Sequence, residues 1–143
     1  MTANTSINQT QDDIVGEFAV FDQWMDKYEY LIELGRQLPL IDAAHKTDDH
    51  LIRGCQSQVW LHAQLRDGAV RFTADSDAVI TKGIIALLVR VLADQRPEDI
   101  AAADLYFIDA IGLREHLSST RSNGLVNMVR TLKSIGKKFS QAH

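Results

Sequence analysis

Apolar residues recur at helical spacing through the first part of the chain. Steps of four and three residues separate Ile14, Phe18, Phe21, Met25, Tyr28 and Ile32. This stripe predicts a helix that continues to Leu38 and stops at Pro39. Gly16 and Gly35 are weak points in the stripe, so it can also form two helices that meet at an angle. Residues 39–54 carry the polar and flexible positions typical of a loop.

An alternating pattern follows this loop and predicts a β-hairpin. From Ser57 to Arg66, successive residues fall on two different faces, as they do in a strand. Asp67-Gly68 comes next, and this dipeptide between two strand-like runs is a strong signal for a two-residue turn. We expect the segment Ala69–Thr73 to return antiparallel.

The rest of the chain predicts helices. Ser76 or Asp77 can cap a segment that is apolar on most sides, which indicates a buried helix. Pro97 opens a short helix. Ser122 is the predicted N-cap of the last helix, which would leave Arg121 just outside that helix. Its apolar stripe consists of Leu125, Met128, Val129, Leu132 and Ile135.

Central strands with helices on either side predict a single α+β domain with a small antiparallel sheet. The chain of 143 residues is long enough for one domain with its own core. We place this domain at residues 12–143 and expect residues 1–11, which are mostly polar, to be a disordered start.

Charge and composition exclude several classes of protein. The formal net charge is −4, which argues against a nucleic-acid-binding face. The sequence contains neither an apolar run of membrane-spanning length nor the pattern of a signal peptide. A single cysteine cannot form an internal disulfide, and this favours a reducing cytoplasm. Residues 1–52 are acidic and residues 114–143 basic, a distribution that favours solvated helix faces over a docking surface.

The lone cysteine is the main candidate for chemistry. Cys55 stands between Gly54 and Gln56 in LIRGCQSQVWL, where a turn leads into the first strand. A buried structural role is the ordinary fate of a free cysteine, but these neighbours favour an exposed loop tip. A dithiol oxidoreductase needs a second cysteine, and no paired spacing indicates a metal site with His45, His50, His62 or His116. A cysteine hydrolase with His50 or His62 as base shows no wider signature, which leaves a thiol that accepts and passes on a group.

Four blocks of the sequence resemble the SufE family of sulfur-acceptor proteins in iron–sulfur cluster assembly. Along the chain they are IELGRQLP at 32–39, GCQSQVWL at 54–61, DSDAVITKGIIALL at 75–88 and TRSNGLVNM at 120–128. This is also their order in the family. A sister family of desulfurase activators usually departs from Gln-Ser-Gln after the cysteine, whereas this chain keeps Gln56, Ser57 and Gln58. The resemblance implies an α+β fold related to that of IscU-type scaffolds.

The resemblance also implies roles for particular residues. Cys55 would accept persulfide sulfur from a SufS-type cysteine desulfurase and pass it to an iron–sulfur scaffold. Asp77 and Arg121 match positions associated with the active-site loop and the partner-facing surface, and Gly54, Gln56 and Ser57 would support the loop or the partner contact. Pyridoxal phosphate would belong to the desulfurase, so we expect no cofactor and no metal in this chain, which would be a sulfur-transfer accessory protein rather than a stand-alone enzyme. Two questions stay open: whether the free protein dimerises, and whether it instead activates the desulfurase allosterically, with Cys55 secondary.

Overall fold

The structure, a computed structural model, describes residues 6–141. It contains six helices and one hairpin within those residues. The helices are α1 (Ile7–Ala19), α2 (Trp24–Arg36), α3 (Val79–Leu92), α4 (Pro97–Ala102), α5 (Phe107–Ala110) and α6 (Ser119–Gln141), and the strands are β1 (Val59–Arg66) and β2 (Ala69–Ser76). The predicted α+β class with a small antiparallel sheet is confirmed.

The hairpin forms where the alternating pattern placed it. β1 and β2 pair antiparallel from Val59 opposite Ser76 to Arg66 opposite Ala69. Asp67 and Gly68 both have positive φ, 54° and 81°, which is the requirement of the tight turn that Asp-Gly favours. β2 extends three residues beyond the predicted Thr73, because Asp75 and Ser76 still pair with β1.

The core lies between the inner face of the hairpin and the helices. α3 is buried along most of its length and packs on both α2 and β2, as its uniformly apolar sequence predicts. α6 packs against α4, with Gly136 lying against Ile100 and Pro97, and it buries Leu125, Met128 and Leu132. Among the described residues, no helix has the length and apolar content to cross a membrane.

Several predicted boundaries at the start of the chain are wrong. α1 begins at Ile7, inside the segment 1–11 that was expected to be disordered, because Ser6 caps it and Ile7, Thr10 and Gln11 are buried. Residues 1–5 of that segment lie outside the described residues. The first stripe does form two helices, but they separate after Ala19 rather than at either glycine. The loop 39–54 contains two 3-10 turns, Ala43–His45 and Asp48–His50.

Two predicted helix caps are also wrong. Neither Ser76 nor Asp77 is the N-cap of α3, which is Ala78. Both bond to Gln58, just before β1, and the Ser76 hydroxyl also accepts from the Ala78 amide at 3.3 Å. α6 begins at Ser119 rather than after Ser122. The hydroxyl of Ser118 accepts a hydrogen bond from the Arg121 amide at 3.2 Å, so Arg121 lies in the first turn of α6 instead of outside it.

Candidate functional site around Cys55

Cys55 lies in a loop whose ends are joined by backbone pairing. Ile52 N–H donates to Val59 O at 2.8 Å, and Leu51 forms a bridge with Trp60. The intervening residues therefore leave and re-enter the sheet at nearly the same place. The cysteine is half-buried and packs against the core. The sequence predicted that Cys55 lies at an exposed loop tip, whereas in the structure Cys55 is only partly exposed.

The thiol is held against the N-terminal part of α6. Its Sγ donates a hydrogen bond to Gly124 O at 3.5 Å. Gly124 is buried, and a Cβ added to it would lie 3.5 Å from Sγ. This separation is an ordinary van der Waals contact, so Cys55 packs directly on the helix surface at Gly124 and a small side chain there would still fit.

A second residue of α6 fixes the turn before the cysteine. Gly54 has φ of +83°, a conformation that favours glycine. Asn127 Nδ2 donates to Gly54 O at 3.0 Å. A Cβ on Gly54 would lie only 2.2 Å from this nitrogen, so both the backbone angle and the contact with Asn127 require glycine here.

Burial raises the pKa of the Cys55 thiol above its ordinary value. The neutral thiol is favoured because the surrounding protein solvates a thiolate poorly. Since the thiolate is the nucleophile, the resting arrangement disfavours reaction at neutral pH. Movement of the loop into water would remove this restraint.

Asp77 secures the other end of the loop. Its Oδ1 accepts from the Gln58 amide at 3.0 Å, and its own amide donates to Gln58 O at 3.3 Å. Ser76 Oγ also donates to Gln58 O. The structure therefore brings Asp77 to the loop, although as a support of the backbone rather than as a helix cap.

The other predicted site residues flank this arrangement. Gln56 is exposed and Ser57 half-buried, and within residues 6–141 neither side chain makes a hydrogen bond. Arg121 is exposed, and in the same range its guanidinium makes no hydrogen bond or ion pair. Arg121 and Gly124 are three residues apart on α6 and so share a face of that helix, which places Arg121 on the side that meets the cysteine loop.

Sequence reasoning did not single out Gly124 or Asn127 as site residues. Both lie within the block 120–128 that carries part of the family resemblance. A glycine inside a helical pattern is a recognised sign of close packing, and Gly124 could have been found in this way. No local signal marks Asn127, because its partner Gly54 is 73 residues away.

The histidines considered as partners of Cys55 lie elsewhere. His45, His50 and His62 contact one another, and His116 stacks on Trp24 with ring centroids 3.9 Å apart. Across residues 6–141 no histidine hydrogen-bonds the thiol, and no three His, Cys, Asp or Glu side chains converge in an arrangement that could hold a metal ion.

Comparisons with known proteins agree on one family. Residues 12–135 match the model of SufE, described as an Fe-S metabolism associated domain. An uncharacterised SufE-like protein of Rhizobium meliloti (strain 1021) is 41% identical over 128 residues, covering 86% of this chain and 91% of the relative. Another from Rhizobium etli is 38% identical over 131 residues, covering 88% of each chain.

A solved structure supports the fold. The solution structure of a hypothetical protein from Thermus thermophilus has a TM-score of 0.74, with 21% identity, and the match covers 90% of this chain and 94% of that one. The family model spans most of the sequence, and the block that contains the cysteine loop is held by two of the other recognised blocks. The chain therefore belongs to the SufE family and has a role in iron–sulfur metabolism.

Proposed function

We propose that this protein accepts sulfur on Cys55 from a cysteine desulfurase, stimulates that enzyme's turnover and passes the sulfur to an iron–sulfur cluster scaffold. The observation that carries the proposal is a single thiol at a loop that α6 holds through Gly124 and Asn127. This arrangement offers one nucleophile and one surface for a partner, which is all that such a transfer needs.

The transfer balances without an external oxidant. The Cys55 thiolate attacks the outer sulfur of a persulfide on the partner, and the partner's cysteine leaves as a thiolate. A new S–S bond forms on Cys55 while the partner's S–S bond breaks, and the proton lost by Cys55 is available to the departing thiolate. A scaffold thiolate would then attack the outer sulfur on Cys55 in the same way, and Cys55 would leave as a thiolate.

Burial gives the resting loop a protective role in this scheme. The half-buried Sγ is held against Gly124, and its raised pKa slows attack on adventitious electrophiles. A persulfide placed there would be kept from reductants in solution. Binding of the partner would then have to free the loop from α6 before the sulfur is transferred.

The proposal also assigns partners and location. A SufS-type desulfurase would contribute pyridoxal phosphate, and the proposed sulfur transfer needs no cofactor or metal from this chain. The expected setting is the cytoplasm, where thiols stay reduced. Gln56, Ser57 and Arg121 are the exposed or half-exposed residues from which contact with the desulfurase is proposed.

Intact-mass analysis tests the transfer. After incubation with a cysteine desulfurase and free cysteine, without reductant, the protein should gain the mass of one or more sulfur atoms. Cys55→Ser should gain none. An unmodified parent protein beside an active desulfurase would overturn the carrier role.

The alternative is a non-catalytic activator that alters the desulfurase by binding alone. The observation that favours it is the partial burial of the thiol, whereas the nearby Gln56 and Arg121 are exposed. Turnover separates the two functions, because Cys55→Ser should abolish stimulation by a carrier but preserve most stimulation by an allosteric activator.

A further inference from the structure

Three histidines form a cluster on the face of the hairpin that points away from the core. His62 lies on β1, and the 3-10 turns before the Cys55 loop contribute His45 and His50. The rings of His45 and His62 stack with centroids 3.8 Å apart and an angle of 7°. His50 is 5.2 Å from His62 and 5.3 Å from His45 by ring centroids. The function proposed above does not use these side chains.

The geometry points to a site in which His50 and His62 bind one divalent transition-metal ion, with water completing its coordination. His50 Nε2 and His62 Nδ1 form a hydrogen bond at 3.3 Å, which a shared ion would replace. Two imidazole nitrogens that each bind an ion at about 2.0–2.1 Å are separated by about 3.3 Å when the site is tetrahedral. The two ligands are therefore already spaced to share an ion.

A further contact supports the required form of His50. Its Nδ1 lies 3.2 Å from Thr47 Oγ1. When Nε2 binds a metal, Nδ1 carries the proton and can donate it to this hydroxyl, which is the usual arrangement behind a metal-bound histidine. The ring of His45 covers one face of His62 and limits its reorientation.

The surrounding charges are compatible with a cation. Asp48 and Asp49 lie in the same short turn as His50. Lys46 is the nearby cation, but its Nζ is paired with Asp75 at 2.9 Å and lies over the Trp60 ring at 4.7 Å. Imidazole ligands suit Zn²⁺, Ni²⁺ and Cu²⁺ rather than Mg²⁺ or Ca²⁺.

Such an ion would join the turn segment to β1. Residues 43–50 lie over the outer face of the hairpin, where their contacts include ring stacking, the His50–His62 hydrogen bond, the Lys46–Asp75 ion pair and Lys46 over the Trp60 ring. A ligand that binds only the folded arrangement stabilises it. Metal binding should therefore stabilise the packing of residues 43–50 on β1, just before the Cys55 loop. This expectation does not depend on whether Cys55 carries sulfur.

The test uses the full-length protein without an affinity tag and with Cys55→Ser, so that the thiol cannot bind the metal. Titration with Ni²⁺ should show saturable binding of one ion per chain and a rise in melting temperature. His50→Gln and His62→Gln should each remove this binding, and Thr47→Ala should weaken it about tenfold. His116→Gln is the matched control, because His116 stacks on Trp24 instead, and it should bind like the parent.

A second measurement identifies the ligands directly. Addition of diamagnetic Zn²⁺ should shift the imidazole NMR signals of His50 and His62 and leave those of His116 in place. Absence of saturable binding at millimolar metal would overturn the site. Binding that persists in both His50→Gln and His62→Gln would overturn it equally.

Discussion

Two glycines in the same backbone conformation have different surroundings. Gly54 and Gly68 have φ of +83° and +81°. Gly68 has open space where a side chain would begin, whereas at Gly54 that space is filled by Asn127. The pair therefore separates the cost of the backbone angle from the cost of losing the contact between the cysteine loop and α6.

We expect Gly54→Ala to destabilise the protein more than Gly68→Ala. The left-handed conformation alone costs about 1–2 kcal/mol for a residue with a side chain, and both variants incur it. Gly54→Ala should lose a further ~0.5–1.5 kcal/mol with the Asn127 hydrogen bond, and Cys55 should be alkylated faster. Urea unfolding and alkylation rates measure both effects, and equal behaviour of the two variants would contradict the assigned role of Asn127.

The raised pKa of Cys55 makes the stability of the protein depend on pH. The folded state favours the neutral thiol, so this contribution is complete below the cysteine pKa of the unfolded chain and is lost as pH rises through the higher folded value. Stability should therefore fall above about pH 8.5. The measurement is melting temperature as a function of pH, and Cys55→Ala should show a smaller decline over this range than the parent protein. Identical declines would show that the thiol is not the group responsible.

At the scale of elements, close contacts between helices depend on missing side chains. A Cβ at Gly83 of α3 would lie 2.3 Å from the backbone oxygen of Leu31 in α2. The contact is with backbone, which cannot rotate away. The close approach of α2 to α3, the helix that follows Asp77, therefore requires glycine at position 83.

Gly83→Ala should force α2 and α3 apart and cost about 1–3 kcal/mol, the range of overpacked cores. Gly16→Ala is the matched control, because Gly16 is also helical but has nothing within 4 Å of the added Cβ. The control should gain about 0.5–1 kcal/mol. Thermal or urea unfolding of the two variants tests this, and a neutral Gly83→Ala would mean that the helices can shift without loss.

At the scale of the whole molecule, basic charge is concentrated on the helix that holds the cysteine loop. α6 carries Arg121, Arg130, Lys133, Lys137 and Lys138 and no acidic residue. Arg121 lies in its first turn, where a cation is opposed by the helix dipole. This placement does not favour stability, which strengthens the proposal that Arg121 contacts a partner.

Arg121→Ala should weaken stimulation of the desulfurase and leave the fold intact, with an unchanged or slightly higher melting temperature. Lys137→Ala, an exposed basic residue near the other end of α6, is the control and should stimulate like the parent. Cys55→Ser should bind the desulfurase but transfer no sulfur. Titration of each variant against the desulfurase measures both complex formation and turnover. Normal stimulation by Arg121→Ala would show that Arg121 is an ordinary solvated charge with no role in partner contact.

The sequence by itself determined the features that depend on neighbouring residues. The hairpin follows from alternation and from an Asp-Gly pair that tolerates positive φ, and the helices follow from apolar stripes at helical spacing. The polar surroundings of Cys55 and the four family blocks marked the site before any contact was known. These signals are local, because backbone angles and side-chain periodicity are set within a few residues.

Tertiary structure decided the features that depend on distant residues. Ser76 and Asp77 looked like caps in isolation, but Gln58, just before β1, uses their hydrogen-bonding groups. The burial of Cys55 depends on Gly124, 69 residues away, and the histidine cluster forms only when the loop folds over β1. A polar group bonds to whichever partner the fold brings within reach, and that partner cannot be read from spacing along the chain.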